Sequence, residues 1–158
     1  MTEAPHFAAS HDHERCIDDA VSAAAEVCSL RGERLTPLRR RVLEMVWMSH
    51  KPVGAYELLQ LLQAEKGRAA PPTVYRALSF LQDLGLVHRI ESLNAYVGCD
   101  HPGHAHRAHF LICRGCGDAA EIRDGAFARA VVNVGRRAGF RVDRETVELQ
   151  GLCPHCLD

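Results

Sequence analysis

Two CxxC elements in the last third of the chain constrain its fold more than any other feature. The first is C-R-G-C at residues 113–116, and the second is C-P-H-C at residues 153–156. Zn²⁺ prefers four soft or borderline ligands in a tetrahedron, and each CxxC turn can bring two sulfurs to one side of the metal. The sequence therefore predicts a closed, structural zinc site made by Cys113, Cys116, Cys153 and Cys156.

Three other uses of paired cysteines fit this sequence less well. Disulfides are rare in the cytosol, and the acidic, histidine-containing residues 1–15 do not resemble a secretory signal. A thioredoxin-like redox motif needs one CxxC at a helix start rather than two pairs, and an iron–sulfur cluster suits the paired spacing less well than zinc does. No apolar run approaches the about 20 residues that span a bilayer. We expect a cytoplasmic protein with no membrane partner.

Charge is segregated along the chain, although the formal net charge is only −1. Residues 1–29 contain one basic and six acidic side chains, residues 30–90 contain ten and five, and residues 91–158 contain eight and nine. A basic middle third is the weak electrostatic signature of a region that meets phosphates, although a solvated helical surface often shows the same excess.

Apolar residues recur at helical spacing in four segments of the first half. Thr36 followed by Pro37 is typical of a helix start. Two short strands joined by a turn at residues 92–94 follow the last helix, and this order indicates a winged helix-turn-helix. The predicted helices cover residues 15–30, 36–48, 55–67 and 72–84, and the predicted strands cover residues 86–91 and 95–99.

A stretch rich in Pro, Gly and His, D-H-P-G-H-A-H-R, separates this region from a second one. The second region has the order ββαβ, with strands at 110–113, 119–123 and 141–149 and a helix at 125–138. We therefore predict an α+β protein. Its parts are a winged helix-turn-helix domain at 1–99, a hinge at 100–107 and a small α/β domain with the four-cysteine zinc site at 108–158.

Histidines are concentrated around the hinge, together with one cysteine and one glutamate. Imidazole, thiolate and carboxylate groups again favour Zn²⁺, because a thiolate discriminates against hard ions such as Mg²⁺ and Mn²⁺. Spacing alone does not select four ligands from the seven candidates. These are His88, Cys99, His101, His104, His106, His109 and Glu121.

Several motifs resemble those of the ferric uptake regulator superfamily, and most closely its zinc uptake regulator branch. They are T-P-L-R-R-R-V-L at 36–43, P-P-T-V-Y-R-A-L at 71–78, L-V-H-R-I-E-S at 86–92, A-Y-V-G-C at 95–99 and the two CxxC pairs. The resemblance covers the chain from about residue 15 onward. It implies a homodimeric, zinc-responsive repressor of zinc-uptake genes that binds double-stranded operator DNA. Dimerisation would use the 108–158 domain. The resemblance also implies a protein with no enzymatic activity and no small-molecule substrate.

The resemblance also implies a second, regulatory zinc site, made by His88, Cys99, His106 and Glu121, so that each chain binds two Zn²⁺. Zinc at this site would lock the dimer in a DNA-competent shape. Iron-sensing relatives carry H-H-x-H where this chain has H-R-A-H at 106–109, so His104 or His109 could replace His106. A third zinc site at the hinge or N-terminal histidines (His6, His11, His13) stays open.

The predicted recognition helix, residues 72–84, contains the candidate DNA-reading side chains. Arg76 can address guanine O6 and N7 with two parallel donors, and Tyr75 can meet a thymine methyl group or a phosphate. The resemblance points to the same pair. Further candidates are Thr73 on the same face, Arg39 in the basic run 39–41, and Arg89 on the wing, although such arginines are often only solvated charges.

Three alternative functions compete with this one. A sensor of iron, manganese, nickel or peroxide belongs to the same superfamily, and Cys99 is the main evidence against it. A zinc hydrolase or deaminase needs an open coordination position and a glutamate that is free to act as a base. A zinc-storage or chaperone protein would leave the winged helix unexplained.

Overall fold

The computed structural model describes Phe7, residues 12–104 and residues 106–157. These residues form two units, one of residues 12–104 and one of residues 106–157 together with Phe7. The domain limits drawn from the sequence stay predictions, and His6 and His11 lie outside the described residues. Of the helices described, none has the length and apolarity needed to cross a membrane.

Four helices build the first unit, as predicted. Asp12 caps the first helix by accepting from Glu14 N at 3.0 Å, and Thr36 caps the second by accepting from Arg39 N at 3.4 Å. Gly67, with a φ of 72°, ends the third. The helices are α1 (His13–Leu30), α2 (Pro37–Trp47), α3 (Ala55–Lys66) and α4 (Pro71–Asp83).

A three-stranded antiparallel sheet completes the first unit. The predicted hairpin is present, with Val87 opposite Gly98 and Ile90 opposite Ala95. A two-residue strand before α3 was not predicted, because two residues are too few to show an alternating pattern. In chain order the strands are β1 (Val53–Gly54), β2 (Val87–Ile90) and β3 (Ala95–Gly98), and β3 lies between the other two.

The core of the first unit is made by the apolar faces of its helices. α2 packs against α1 and α4, and α3 packs against α4. Each fully buried leucine contributes about 1.5–3 kcal/mol relative to an exposed one, so this unit is stabilised by its own packing. The leucines of these helices that are less than 2% exposed are Leu43, Leu58, Leu62, Leu78 and Leu81.

The second unit has the predicted order ββαβ. Its sheet has β4 in the middle, antiparallel to β5 and parallel to β6, so the chain crosses over between β5 and β6 through α5. Asp124 caps α5 by accepting from Ala126 N at 2.7 Å and Phe127 N at 3.1 Å. The elements are β4 (Phe110–Cys113), β5 (Ala119–Glu121), α5 (Gly125–Arg137) and β6 (Glu148–Gly151).

The last strand was predicted at the wrong place. β6 covers Glu148–Gly151, whereas the sequence pattern placed the strand at residues 141–149. Glu145 bonds to His109 with 2.9 Å between its Oε1 and the ring Nε2, and it also pairs with Arg107. This inward turn interrupts the alternation on which the prediction relied, and pairing with β4 begins only where Phe110 lies opposite Glu148.

The second unit leaves much of its apolar surface uncovered. α5 contains no buried residue, and Val134 on this helix is 60% exposed. The other exposed large apolar side chains of this unit are Phe140, Leu149, Leu152 and Leu157. Exposed apolar side chains gathered in one small unit are typical of an interaction surface.

Candidate metal centres and nucleic-acid interface

The parallel pairing of β4 with β6 brings the two CxxC elements together. Cys113 is the last residue of β4 and lies opposite Gly151, the last residue of β6. The second CxxC follows two residues later and forms a short 3₁₀ turn, Pro154–Cys156. Cysteines that are about 40 residues apart in sequence therefore reach the same end of the sheet.

The four sulfurs have the geometry of a tetrahedral zinc site. All four lie within 4.8 Å of one another, and the Cys116 and Cys153 sulfurs are 3.8 Å apart. A tetrahedron with Zn–S bonds of about 2.3 Å has sulfur–sulfur edges of about 3.8 Å, so the residues fit the ion. Gly115 makes room for this arrangement, because a Cβ there would lie 2.9 Å from the Cys156 sulfur.

Backbone amides stabilise the thiolate of one cysteine of this site. Hydrogen bonds from the amides of Cys116, Cys153 and Gly115 lower the pKa of the Cys113 thiol to about 6. The neighbouring Cys153 side chain raises the pKa of Cys156. Thiolates this close to one another repel, and a bound Zn²⁺ removes the repulsion while it completes their coordination.

The first unit contributes two of the predicted regulatory ligands. His88 lies on β2 and is half-buried, and Cys99 follows β3 directly and is 3% exposed. The Cys99 amide donates to Leu86 O at 3.0 Å, which extends the β2–β3 ladder by one bond. The hairpin therefore fixes the backbone of both residues.

The second unit contributes the other two. Glu121 is the last residue of β5, and its Oε1 lies 2.9 Å from His106 Nε2. His109, which was the alternative ligand, is 1% exposed, bonds to Glu145 and packs edge-on against Phe127 with 5.2 Å between ring centroids. Hydrogen bonds from Arg107 and His109 outweigh the effect of burial and lower the pKa of Glu145.

The remaining histidine candidates differ in their surroundings. His101 and His104 are exposed. His13, named for a possible third site, has its ring centroid 5.2 Å from that of His50.

α4 buries one face and exposes the candidate DNA-reading face. Tyr75 is 55% exposed, Arg76 is exposed and Thr73 is half-buried. The buried residues on the opposite face are Val74, Ala77, Leu78 and Leu81. The helix therefore exposes Tyr75 and Arg76 near its N-terminal end, which is where a recognition helix contacts bases.

The two remaining candidates for DNA contact, Arg39 and Arg89, have partners within the first unit. The Arg39 guanidinium lies 3.4 Å from the centroid of the Phe80 ring and donates to Arg34 O at 2.7 Å. Arg89 donates to Asn94 Oδ1 at 2.9 Å. Arg39 thus links α2 to α4, a role that the sequence did not indicate.

The sequence model of the ferric uptake regulator family matches residues 30–150. This chain belongs to the ferric uptake regulator family. The zinc uptake regulation protein of Escherichia coli (strain K12) is 36% identical over 143 residues, which cover 89% of this chain and 82% of that protein.

Two solved structures extend this similarity to the fold of the family. A zinc uptake regulator complexed with zinc and DNA superposes with a TM-score of 0.83 at 34% identity, covering 89% of this chain and 95% of the other. Holo XcZur superposes with a TM-score of 0.79 at 43% identity, covering 87% and 96%. The predicted class, a winged helix-turn-helix followed by a small α/β unit, is confirmed.

Proposed function

We propose that this member of the ferric uptake regulator family is a zinc-responsive, DNA-binding repressor of zinc-uptake genes that acts as a homodimer. The observation that carries this proposal is the donor set. Cys99 places a buried sulfur at the end of the wing, and the 2.9 Å pair of His106 and Glu121 adds an imidazole and a carboxylate. Relatives named for zinc uptake regulation support the same metal.

The regulatory ion would be bound by His88, Cys99, His106 and Glu121. A thiolate with two imidazoles and one carboxylate satisfies four-coordinate Zn²⁺ and disfavours hard cations. His106 is supported over His109 by position, because His106 lies 2.9 Å from the proposed ligand Glu121, whereas the buried His109 ring faces Glu145. With the four-cysteine site, this gives two zinc ions per chain.

Zinc would act by restricting the hinge at residues 100–107. Two of the four ligands belong to each unit, so one ion ties the units together and selects one arrangement from many. A dimer that binds two half-sites needs its recognition helices about 34 Å apart, and few arrangements meet this requirement. Zinc binding would therefore raise the population of the DNA-competent shape.

Homodimer formation would cover the apolar surface of the second unit. Val134, Phe140 and Leu149 are each at least half exposed. Because they lie in the unit predicted to dimerise, a second copy of the chain is the partner that this surface supports.

DNA recognition would use the exposed face of α4, with Arg76 at a guanine edge, Tyr75 at a thymine methyl group or a phosphate, and Thr73 beside them. Arg39 of α2 and Arg89 of the wing would lie near phosphates. Arg76→Ala should weaken specific binding by about 1–3 kcal/mol and relax base preference at one position of each half-site. Arg141→Ala, in the other unit and paired with Asp143, is the matched control and should leave affinity unchanged. Equal affinity of wild type and Arg76→Ala for the selected DNA would contradict this assignment.

The proposal is tested by selecting random-sequence DNA duplexes with zinc-loaded protein and measuring binding to the selected duplex. Binding should be lost with a zinc chelator and restored by Zn²⁺. Restoration by Fe²⁺ or Mn²⁺ but not by Zn²⁺ would favour a sensor of another metal. Zinc-independent binding would overturn the proposal.

An enzymatic function has less support. A zinc hydrolase needs a glutamate free to act as a base. Glu121 instead contacts His106, and the four cysteines leave no coordination position for water.

A further inference from the structure

The single tryptophan of the chain packs directly on the residue before Cys99. Trp47 ends α2 and is 9% exposed. A Cβ at Gly98 would lie 2.1 Å from Trp47 Cε2, 2.3 Å from Nε1 and 2.5 Å from Cζ2. Contacts this short do not occur between real atoms, so this indole position requires glycine at residue 98.

Gly98 is also held by the neighbouring strand of the wing, β2. It lies opposite Val87 in the β2–β3 ladder, and the next amide, of Cys99, donates to Leu86 O at 3.0 Å. The backbone that leads into Cys99 therefore has two supports, the neighbouring strand and the indole ring.

A cavity lies beside Cys99 in the first unit. Trp47 and Cys99 both line a cavity of about 340 Å³, whose other walls include Cys16 and Asp19 of α1. The backbone that the indole supports leads directly into Cys99, so a shift at Gly98 would move the thiol.

The indole is not retained for its hydrogen bond. Trp47 Nε1 is buried and has no hydrogen-bond partner among the described residues. An unsatisfied buried donor destabilises the folded state. What Trp47 contributes at this position is therefore the close contact of its ring with Gly98.

We propose that Trp47 is a positioning residue for Cys99, acting through its contact with Gly98. This inference rests on the proposed role of Cys99 as a zinc ligand. α2 also contacts the recognition helix through Arg39 and Phe80, so one helix supports both the metal ligand and the DNA-reading element. Groups that orient a metal ligand without touching the metal typically change metal affinity about 10–100-fold when they are altered.

The first test substitutes Gly98 by alanine in the full-length protein with the four-cysteine site loaded. Zinc affinity of the second site, measured by competition with a chromophoric chelator, should fall about 10–100-fold. Gly54→Ala is the matched control, because a Cβ at Gly54 would meet nothing within 4 Å. Its zinc affinity should equal that of wild type.

The second test is a rescue. Trp47→Leu removes the three ring atoms that a Cβ at residue 98 would strike, and the alanine methyl then occupies part of the vacated space. The double variant Trp47→Leu/Gly98→Ala should bind zinc more tightly than either single variant. With Co²⁺ in the second site, the thiolate-to-cobalt absorption should be weakened in Gly98→Ala and recovered in the double variant.

The outcomes separate this inference from the proposed function. If Cys99→Ser binds the second zinc as tightly as wild type, the proposed ligand set fails. If Cys99→Ser weakens zinc binding but Gly98→Ala does not, only the role of Trp47 fails. If Gly98→Ala does not fold, Trp47→Leu is compared with the double variant, and equal or weaker zinc binding by the double variant overturns the inference.

Discussion

The two units of this protein obtain their stability in different ways. Residues 12–104 bury apolar side chains from four helices in one core, and this core contains no metal ligand of the four-cysteine site. Residues 106–157 form a three-stranded sheet and the helix α5, and α5 itself contains no buried residue. A unit of roughly 50 residues seldom folds on its core alone, and metals or oligomerisation commonly supply the rest. We therefore predict that the first unit folds by itself, whereas the second needs zinc and a partner.

Removing one ligand of the four-cysteine site should have the largest effect on stability, and this effect should be limited to the second unit. Cys116→Ser is expected to lose one zinc per chain and to unfold residues 106–157 while α1–α4 stay folded. Structural zinc contributes about 10–16 kcal/mol of apparent binding free energy in small domains, which is comparable to the whole stability of a domain. Metal analysis and hydrogen exchange resolved by residue would measure both effects.

Cys16→Ser is the matched control, because Cys16 is half-buried and lies in neither candidate metal group. It should retain both zinc ions and the protection of both units. Protected amides in β4 and β6 of zinc-free Cys116→Ser would show that the second unit does not depend on its metal.

A charge on the exposed apolar surface should have the next largest effect. Val134→Glu should weaken dimerisation about 30-fold, the equivalent of about 2 kcal/mol, because it places a carboxylate in an apolar interface. Sedimentation equilibrium of the zinc-loaded protein measures this change. Leu30→Glu, at a position 82% exposed in the first unit, should not change the dimer dissociation constant. Equal effects of the two substitutions would remove the distinction between the units.

Removing the charge of the buried Glu145 side chain should have the smallest effect. Glu145→Gln should lower the free energy of opening of residues 106–157 by about 1.5 kcal/mol at neutral pH, because it removes a charged acceptor from His109 and Arg107. Hydrogen exchange of β4 amides measures this free energy.

Asp143→Asn, which alters an exposed pair with Arg141, should leave that free energy unchanged. Faster exchange of the β4 amides in Asp143→Asn than in Glu145→Gln would show that burial of the carboxylate does not determine its contribution to stability.

Sequence periodicity predicted the first unit well for the same reason that we expect this unit to fold by itself. Each helix buries one regular stripe, such as Val74, Leu78 and Leu81 of α4, and a regular stripe is visible in the sequence. The contact of Trp47 with Gly98 was not predictable, because it joins residues about 50 apart and leaves no periodic signal.

The second unit was predicted from its metal chemistry more than from its packing. The CxxC spacing is local, so the four-cysteine cluster could be read directly, and the structure gathers all four sulfurs. The last strand was misplaced because Glu145 turns inward to His109, a contact across 36 residues. The roles of His88, Cys99, His106 and Glu121 stay predictions.

The central claim is that a second zinc, bound through Cys99, controls DNA binding. The most direct measurement compares wild type and Cys99→Ser for zinc content per chain and for binding to the selected duplex with and without a chelator. Wild type should bind two zinc ions and require the second for DNA binding, while Cys99→Ser should retain one zinc and the dimer but not bind the duplex. One zinc per wild-type chain, or full zinc-dependent DNA binding by Cys99→Ser, would contradict the claim.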